Sequence, residues 1–97
     1  MRVWLSNGAR QFLDSLPEGI AKAQIRGVLR QLEEDYESVR IWPSDDSSGG
    51  RFTFAGSNDK WKLTFHLVQM EELVVSVVTI GKRRTSKWVW ESYPAKD

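Results

Sequence analysis

The chain begins with a short apolar stretch and then changes to a helical spacing of apolar positions. Residues 2–5 consist mainly of Val, Trp and Leu, which predicts a first strand. Ser6-Asn7-Gly8 is typical of a turn or of a helix start. One helical face follows, at the spacing i, i+3, i+4 and i+7: Ala9, Phe12, Leu13 and Leu16. Pro17 either ends this helix or takes the first position of the next, with Ser15 as a nearby cap.

A second helix is predicted by the same spacing further along the chain. Its apolar stripe consists of Ile25, Val28, Leu29, Leu32 and Tyr36. Gly19 and Gly27 each cost a helix about 1 kcal/mol relative to alanine, so packing of the stripe must supply most of its stability. We expect the two helices to form a hairpin that packs over a sheet.

Between Val39 and Gly50 no periodic pattern is present. Trp42-Pro43 is followed by Ser, Asp and Gly residues that favour turns. We interpret this stretch as a mobile loop, and we assign Trp42, like Trp4, to packing.

Three strands joined by short turns are predicted next: Arg51 to Phe54, Trp61 to Val68 and Leu73 to Ile80. The middle strand alternates strictly, so Trp61, Leu63, Phe65 and Leu67 share one face while Lys62, Thr64 and His66 share the other. The last strand is nearly all β-branched, which favours a central position with both faces covered. The predicted fold class is α+β: an N-terminal strand, then a two-helix hairpin packed on a mainly antiparallel sheet that ends in a three-strand meander.

Composition restricts the class of protein. With 97 residues, 40% hydrophobic and 28% charged, the chain is expected to form one domain, 1–97, rather than a disordered or fibrous chain. No apolar run approaches the roughly 18 residues of a spanning helix, and no signal-peptide pattern precedes the first strand. The chain contains no cysteine and therefore no disulfide framework, which is typical of a reducing compartment. We expect a cytoplasmic protein without membrane association.

The available side chains limit the chemistry further. Without cysteine and with a single histidine, His66, the chain has no thiolate site and no multi-histidine cage, so we expect neither metal nor another cofactor. The formal net charge is +1, yet the charges are grouped. An acidic group spans Glu33 to Glu37 and is interpreted as a solvated helix end, while a basic group lies near the C-terminus: Lys82, Arg83, Arg84 and Lys87. The basic group is either a solvated turn or an anion-binding face.

The order of elements and the end of the last strand resemble the RelE/ParE superfamily of bacterial toxins. The strand that runs from Val77 into Gly81-Lys82-Arg83-Arg84-Thr85-Ser86 is similar to the RelE pattern of a hydrophobic strand followed by Gly-Lys-Arg-x-x-Ser. The pair Trp61-Lys62 before an apolar strand is also similar to family features. The resemblance covers essentially the whole chain and implies the toxin of a type II toxin–antitoxin module. RelE-type members are ribosome-dependent endonucleases that cut messenger RNA and are silenced by an antitoxin, whereas ParE-type members poison DNA gyrase.

The resemblance implies roles for individual residues. Arg83 matches the active-site arginine, Lys62 falls where RelE-type toxins carry an arginine, and Arg51 lies near the first of two strand lysines. The second strand lysine falls on Thr53, and the tyrosine after the motif falls near Val89. These departures favour the rival function, a ParE-like gyrase inhibitor or a non-catalytic binder.

The chemistry of RNA cleavage fits such a residue set. The 2′-hydroxyl of RNA can attack the adjacent phosphate, so a protein need only orient the strand, stabilise the transition state and assist proton transfer. We therefore expect Arg83, Lys62 and Arg51 as catalytic cations of a metal-independent mRNA interferase that inhibits translation. The expected RNA-binding residues are Lys82, Arg84, Lys87, Trp88 and Trp90.

Aromatic and imidazole side chains complete the candidate set. Trp88 and Trp90 serve either base stacking or closure of the core. Trp61 is expected in the core because it shares the strand face of Leu63 and Phe65. His66 shares the face of Lys62 but lies roughly 13 Å along the strand, too far to share one phosphate. The expected partners are a cognate antitoxin and the ribosome with its messenger RNA, or DNA gyrase under the rival interpretation.

Overall fold

The computed structural model describes residues 1–44, 49–83 and 90–92. Two helices accompany a six-stranded mixed sheet, which confirms the predicted α+β class. The helices are α1 (Asn7–Ser15) and α2 (Ile20–Glu34). The strands are β1 (Arg2–Leu5), β2 (Trp42–Pro43), β3 (Arg51–Ala55), β4 (Trp61–Gln69), β5 (Leu73–Arg83) and β6 (Trp90–Ser92).

The sheet is arranged around β5, as its β-branched sequence predicts. The strand order is β1-β5-β4-β3-β2, and β6 also pairs with β5. The β3-β4-β5 meander is antiparallel throughout, whereas β1 is parallel to β5 with Arg2 opposite Val74 and Leu5 opposite Val77. One edge of β5 is therefore occupied by β4, and the other by β1 and then β6.

A β-bulge divides β5 into two halves. Thr64 of β4 is opposite Thr79, but the next residue, Phe65, is opposite Val77, so Val78 is the additional residue. An additional residue in one strand shifts the alternation of its side chains. As a result Val77 and Ile80, three residues apart, are both buried against the helices.

Both helices pack on the same face of the sheet. Ala9, Phe12 and Leu13 of α1 enter one core with Ile25 and Leu32 of α2. The sheet contributes fully or almost fully buried residues to this core: Trp61, Leu63, Phe65, Val75, Val77 and Ile80. The helical spacing and the alternation in β4 are confirmed by this burial, as is the core position of Trp61.

The ends of the helices differ partly from the expectation. Ser6 caps α1, and α2 begins at Ile20, so Pro17 ends the first helix and does not start the second. Tyr36 lies outside α2, in a short 3₁₀ turn, although its ring still contacts Phe65 edge to face at 6.4 Å. The acidic residues from Glu33 to Glu37 are exposed around the helix end, as predicted, while Tyr36 between them is half-buried.

Three sequence interpretations need correction. The stretch from Val39 to Gly50 is not entirely a loop, because Trp42 and Pro43 pair with Phe52 and Arg51 as β2; residues 45–48 lie outside the described part. The basic run does not form a turn at its start, because β5 continues through Arg83. The predicted strands end at Ile80, yet Trp90 lies in a further strand, β6.

Ser6 connects α1 to the bulge. Its hydroxyl accepts a hydrogen bond from the Ala9 amide at 3.0 Å and donates one to the Val78 carbonyl at 2.6 Å. Its amide donates to the Val77 carbonyl at 2.9 Å. One side chain therefore satisfies a helix N-terminus and a carbonyl at the irregular point of β5.

We expect Ser6→Ala to lower the free energy of unfolding by about 1–2 kcal/mol, because both hydroxyl hydrogen bonds are lost. Urea denaturation measures the change. Ser15→Ala is the matched control: its hydroxyl donates only to the Phe12 carbonyl one turn back in the same helix, and we expect a change below about 0.5 kcal/mol. Equal effects of the two substitutions would contradict the connecting role of Ser6.

Candidate nucleic-acid interface

The face of the sheet opposite the helices, here called the open face, carries the side chains that alternate with the core residues. On β4, Lys62 and Thr64 lie between the buried residues Trp61, Leu63 and Phe65. Directly opposite residues in an antiparallel pair share a face. Lys62 is opposite Phe54 and Gly81, and Thr64 is opposite Phe52 and Thr79. The open face therefore joins β2, β3, β4 and β5 around Lys62.

Three aromatic rings form a cluster on the open face. Trp42 of β2 is opposite Phe52 of β3, and Phe54 is two residues further along the same strand. The ring centroids of Trp42 and Phe52 are 5.8 Å apart with planes inclined by 13°. Phe54 completes the triangle at 5.1 Å from Trp42 and 5.5 Å from Phe52. We call Trp42, Phe52 and Phe54 the aromatic triad.

Two cationic side chains contact the triad. The Lys62 ammonium lies 4.4 Å from the centroid of the Phe52 ring, and the Arg40 guanidinium lies 5.3 Å from that of Trp42. Both are cation–π distances. A cleft of about 280 Å³ lies beside the triad at the edge of the sheet, where Val28 and Gln31 of α2 line it together with Arg40, Trp42, Phe54 and Asp59. Positive charge and π surface thus lie together at this end of the sheet.

Arg51 lies on the other face of the sheet. Its Cα is opposite Phe65, a fully buried residue of the helix-covered face, so alternation separates Arg51 from Lys62. Burial raises the pKa of the Tyr36 phenol, and the positive charge of Arg51 partly opposes that rise. Arg51 is therefore a neighbour of Tyr36, and the expected grouping of Arg51 with Lys62 is not found.

The register also shows which β3 residues are the neighbours of Lys62. Thr53, like Arg51, belongs to the helix-covered face, where it is 3% exposed and donates a hydrogen bond to the Arg40 carbonyl at 2.7 Å. The positions that share the face of Lys62 are Phe52 and Phe54. Aromatic residues, not cations, therefore flank Lys62 on β3.

The basic end of β5 is divided between the two faces. Lys82 is opposite Trp61, which places it on the helix-covered side. The register position of Arg83, two residues after Gly81, belongs to the open face and is opposite Trp90 of β6. Arg84, Lys87 and Trp88 lie outside the described residues. The open face therefore includes Lys62 and the strand position of Arg83, but not Lys82.

At the far end of the open face, exposed apolar side chains lie beside the ion pair between Arg2 and Glu72. Trp4 is 43% exposed, so its assignment to packing is wrong, and Val68 and Met70 are exposed as well. An open groove of about 620 Å³ is formed there by Arg2, Trp4, Met70, Glu71, Glu72 and Val74. His66 lies between the two ends, half-buried and opposite Ser76. The sequence interpretation missed this groove.

The part of the chain that the structure describes contains no cluster of three His, Asp or Glu side chains able to hold a metal ion. Neither of its two helices combines the length and the apolar composition needed to cross a membrane. Comparisons with models of protein families, with curated proteins and with solved structures find no match.

We expect Arg51→Ala to raise the pKa of Tyr36 further, because the substitution removes a positive charge that favours the phenolate. Absorbance of tyrosinate across an alkaline titration measures the shift, and Tyr36→Phe identifies the component that belongs to this residue. Lys62→Ala, on the opposite face, is the control and should leave the titration unchanged. A shift with Lys62→Ala but not with Arg51→Ala would contradict the separation of the two cations.

Proposed function

We propose that the chain is a RelE/ParE-like toxin that acts in the cytoplasm as a metal-independent endoribonuclease on messenger RNA at the ribosome. The observation that supports this function best is the open face, where Lys62 and the register position of Arg83 share a surface with the aromatic triad. This surface offers charge for phosphates and rings for bases. The sequence resemblance to RelE at Gly81-Lys82-Arg83 supports the choice of reaction.

The proposed mechanism uses the substrate's own nucleophile. The 2′-hydroxyl gives its proton to water and attacks the adjacent phosphorus. The bond to the 5′-oxygen breaks, that oxygen takes up a proton from water, and a 2′,3′-cyclic phosphate remains. Arg83 binds the phosphate through its paired donors and remains a cation throughout. Lys62 stabilises the charge that grows on the non-bridging oxygens. Arg51 has no part in this mechanism, because it lies on the other face of the sheet.

A toxin of this kind requires a partner that silences it, and we propose a cognate antitoxin protein for this role. An antitoxin segment bound on the open face would mask the same cationic surface that RNA needs. The ribosome would present the messenger RNA in an orientation that a small domain cannot impose alone.

The second candidate function is binding without cleavage, as in a ParE-like inhibitor of DNA gyrase. One observation favours it: the β3 positions beside Lys62 are Phe52 and Phe54, so the open face carries fewer cations there than the sequence resemblance implies. A surface rich in aromatic rings also suits a protein partner.

We expect Arg83→Ala and Lys62→Ala each to reduce transcript cleavage by about a hundredfold or more, because each removes a cation from the reacting phosphate. Induced expression in bacteria, with growth, protein synthesis and transcript ends followed together, measures the effect. Arg10→Ala is the matched control: Arg10 is an exposed cation on α1, and its removal should leave arrest and cleavage unchanged.

The outcomes separate the two candidates. Growth arrest with intact transcripts and damaged DNA would support gyrase inhibition instead. Full cleavage by a folded Arg83→Ala variant would rule out the proposed mechanism.

A further inference from the structure

The aromatic triad is an unusual feature of the open face. Large aromatic side chains normally contribute to a core, yet the helices of this protein pack on the opposite side of the sheet. Trp42, Phe52 and Phe54 contact one another and are half-buried. Trp42 and Phe52 are nearly parallel, whereas Phe54 is inclined to them by 58° and 69°, so the three rings form a compact cluster on this face.

The charges around the triad favour an anionic ligand. Lys62 and Arg40 lie over two different rings, so two positive charges contact the triad. Asp59 in the adjoining cleft is an opposing charge at its margin. A ligand that combines flat rings with phosphates at a regular spacing matches both properties, and single-stranded nucleic acid is such a ligand.

We propose that the aromatic triad is a stacking platform for unpaired bases of single-stranded RNA, with Arg40 and Lys62 on the flanking phosphates. The choice of RNA rather than DNA rests on the proposed function. Base stacking is tolerant of sequence, because every base has a π face. The platform therefore holds the strand beside Lys62 and the register position of Arg83 without selecting a codon.

The edge of the sheet argues against a peptide strand as the occupant. β2 is the edge strand beside the triad and consists of two residues, the second of which is Pro43. Proline has no amide hydrogen to donate to an added strand. A peptide strand therefore cannot pair with β2 at Pro43. At this end of the sheet, a ligand would bind to the rings of the triad instead.

Binding of RNA that cannot be cleaved tests the platform separately from catalysis. The probe is a short, fluorescently labelled 2′-O-methyl RNA, compared by anisotropy at low salt with an oligonucleotide of the same length that has abasic sugars. We expect the full chain to bind the base-containing probe about tenfold or more tightly, because stacking adds about 1–3 kcal/mol per base. Phosphate contacts are the same in both probes, so the difference reports the bases.

Phe52→Leu is the main variant, because it removes a π face while it keeps an apolar side chain in the triad. We expect it to bind the base-containing probe about five- to tenfold more weakly and to leave the affinity for the abasic probe unchanged. Trp42→Phe keeps a ring and should stay within about twofold of the wild type. Trp4→Leu is the matched control, since Trp4 is an exposed aromatic residue at the far end of the open face and should have no effect.

Asp59→Asn tests the charge at the margin of the platform. Asp59 has a positive φ of 53°, a conformation that asparagine adopts readily. We expect the substitution to tighten binding of both probes by about two- to threefold, because it removes a negative charge near the phosphates. Weaker binding would contradict the proposed path of the strand.

The results distinguish failure of the platform from failure of the endonuclease proposal. Equal affinity of the wild type for the two probes overturns the platform, even where transcripts are cleaved in cells and even if Phe52→Leu does not fold. Base-dependent binding that Phe52→Leu weakens, without any cleavage, upholds the platform and rejects the endonuclease. Base-dependent binding that a folded Phe52→Leu variant retains in full overturns the platform. Self-association that Phe52→Leu weakens, with no base-dependent binding, overturns the platform and identifies a second copy of the chain as the occupant.

Discussion

The bulge at Val78 decides which residues of β5 face the helices and which face away. Before it, Val75 and Val77 point into the core; after it, Ile80 does, and the alternation is reversed. Without the additional residue, Gly81 and the position of Arg83 would belong to the helix-covered side. The place of these two β5 positions on the open face therefore depends on a single irregularity in the central strand. Ser6, whose hydroxyl donates to the Val78 carbonyl, connects this irregularity to the start of α1.

The core and the open face place opposite demands on the same strands. Leu63 and Phe65 need apolar neighbours on one side of β4, while Lys62 lies on the other side against an aromatic ring. The Lys62 ammonium lies over the Phe52 ring at a cation–π distance. The triad therefore both covers part of the outer side of the sheet and positions a cation.

Periodicity predicted the helices, the meander and the two faces of β4, because burial imposes a regular spacing on long elements. Periodicity could not show the bulge, because β5 is apolar on both faces. Val77, Val78 and Ile80 are all apolar, so the sequence does not distinguish which of them face the helices. The placement of Arg51 failed for a related reason: sequence similarity aligned its charge, whereas pairing with Phe65 determines its face. The Phe52 and Phe54 alternation, combined with that of Lys62, was the signal that could have revealed the triad. The strand at Trp42-Pro43 is too short for any pattern to predict.

The parallel pairing of β1 with β5 has a consequence for how the protein forms. Arg2 is opposite Val74, and the Ser6 hydroxyl bonds a carbonyl 72 residues away, so the N-terminal strand has no sheet to join until most of the chain exists. Contacts of such long range slow folding, because a large loop must close before they contribute. During synthesis the apolar sides of α1 and α2 emerge long before their sheet. The open face, which needs β5 in register, is therefore assembled only after β5 has been synthesised.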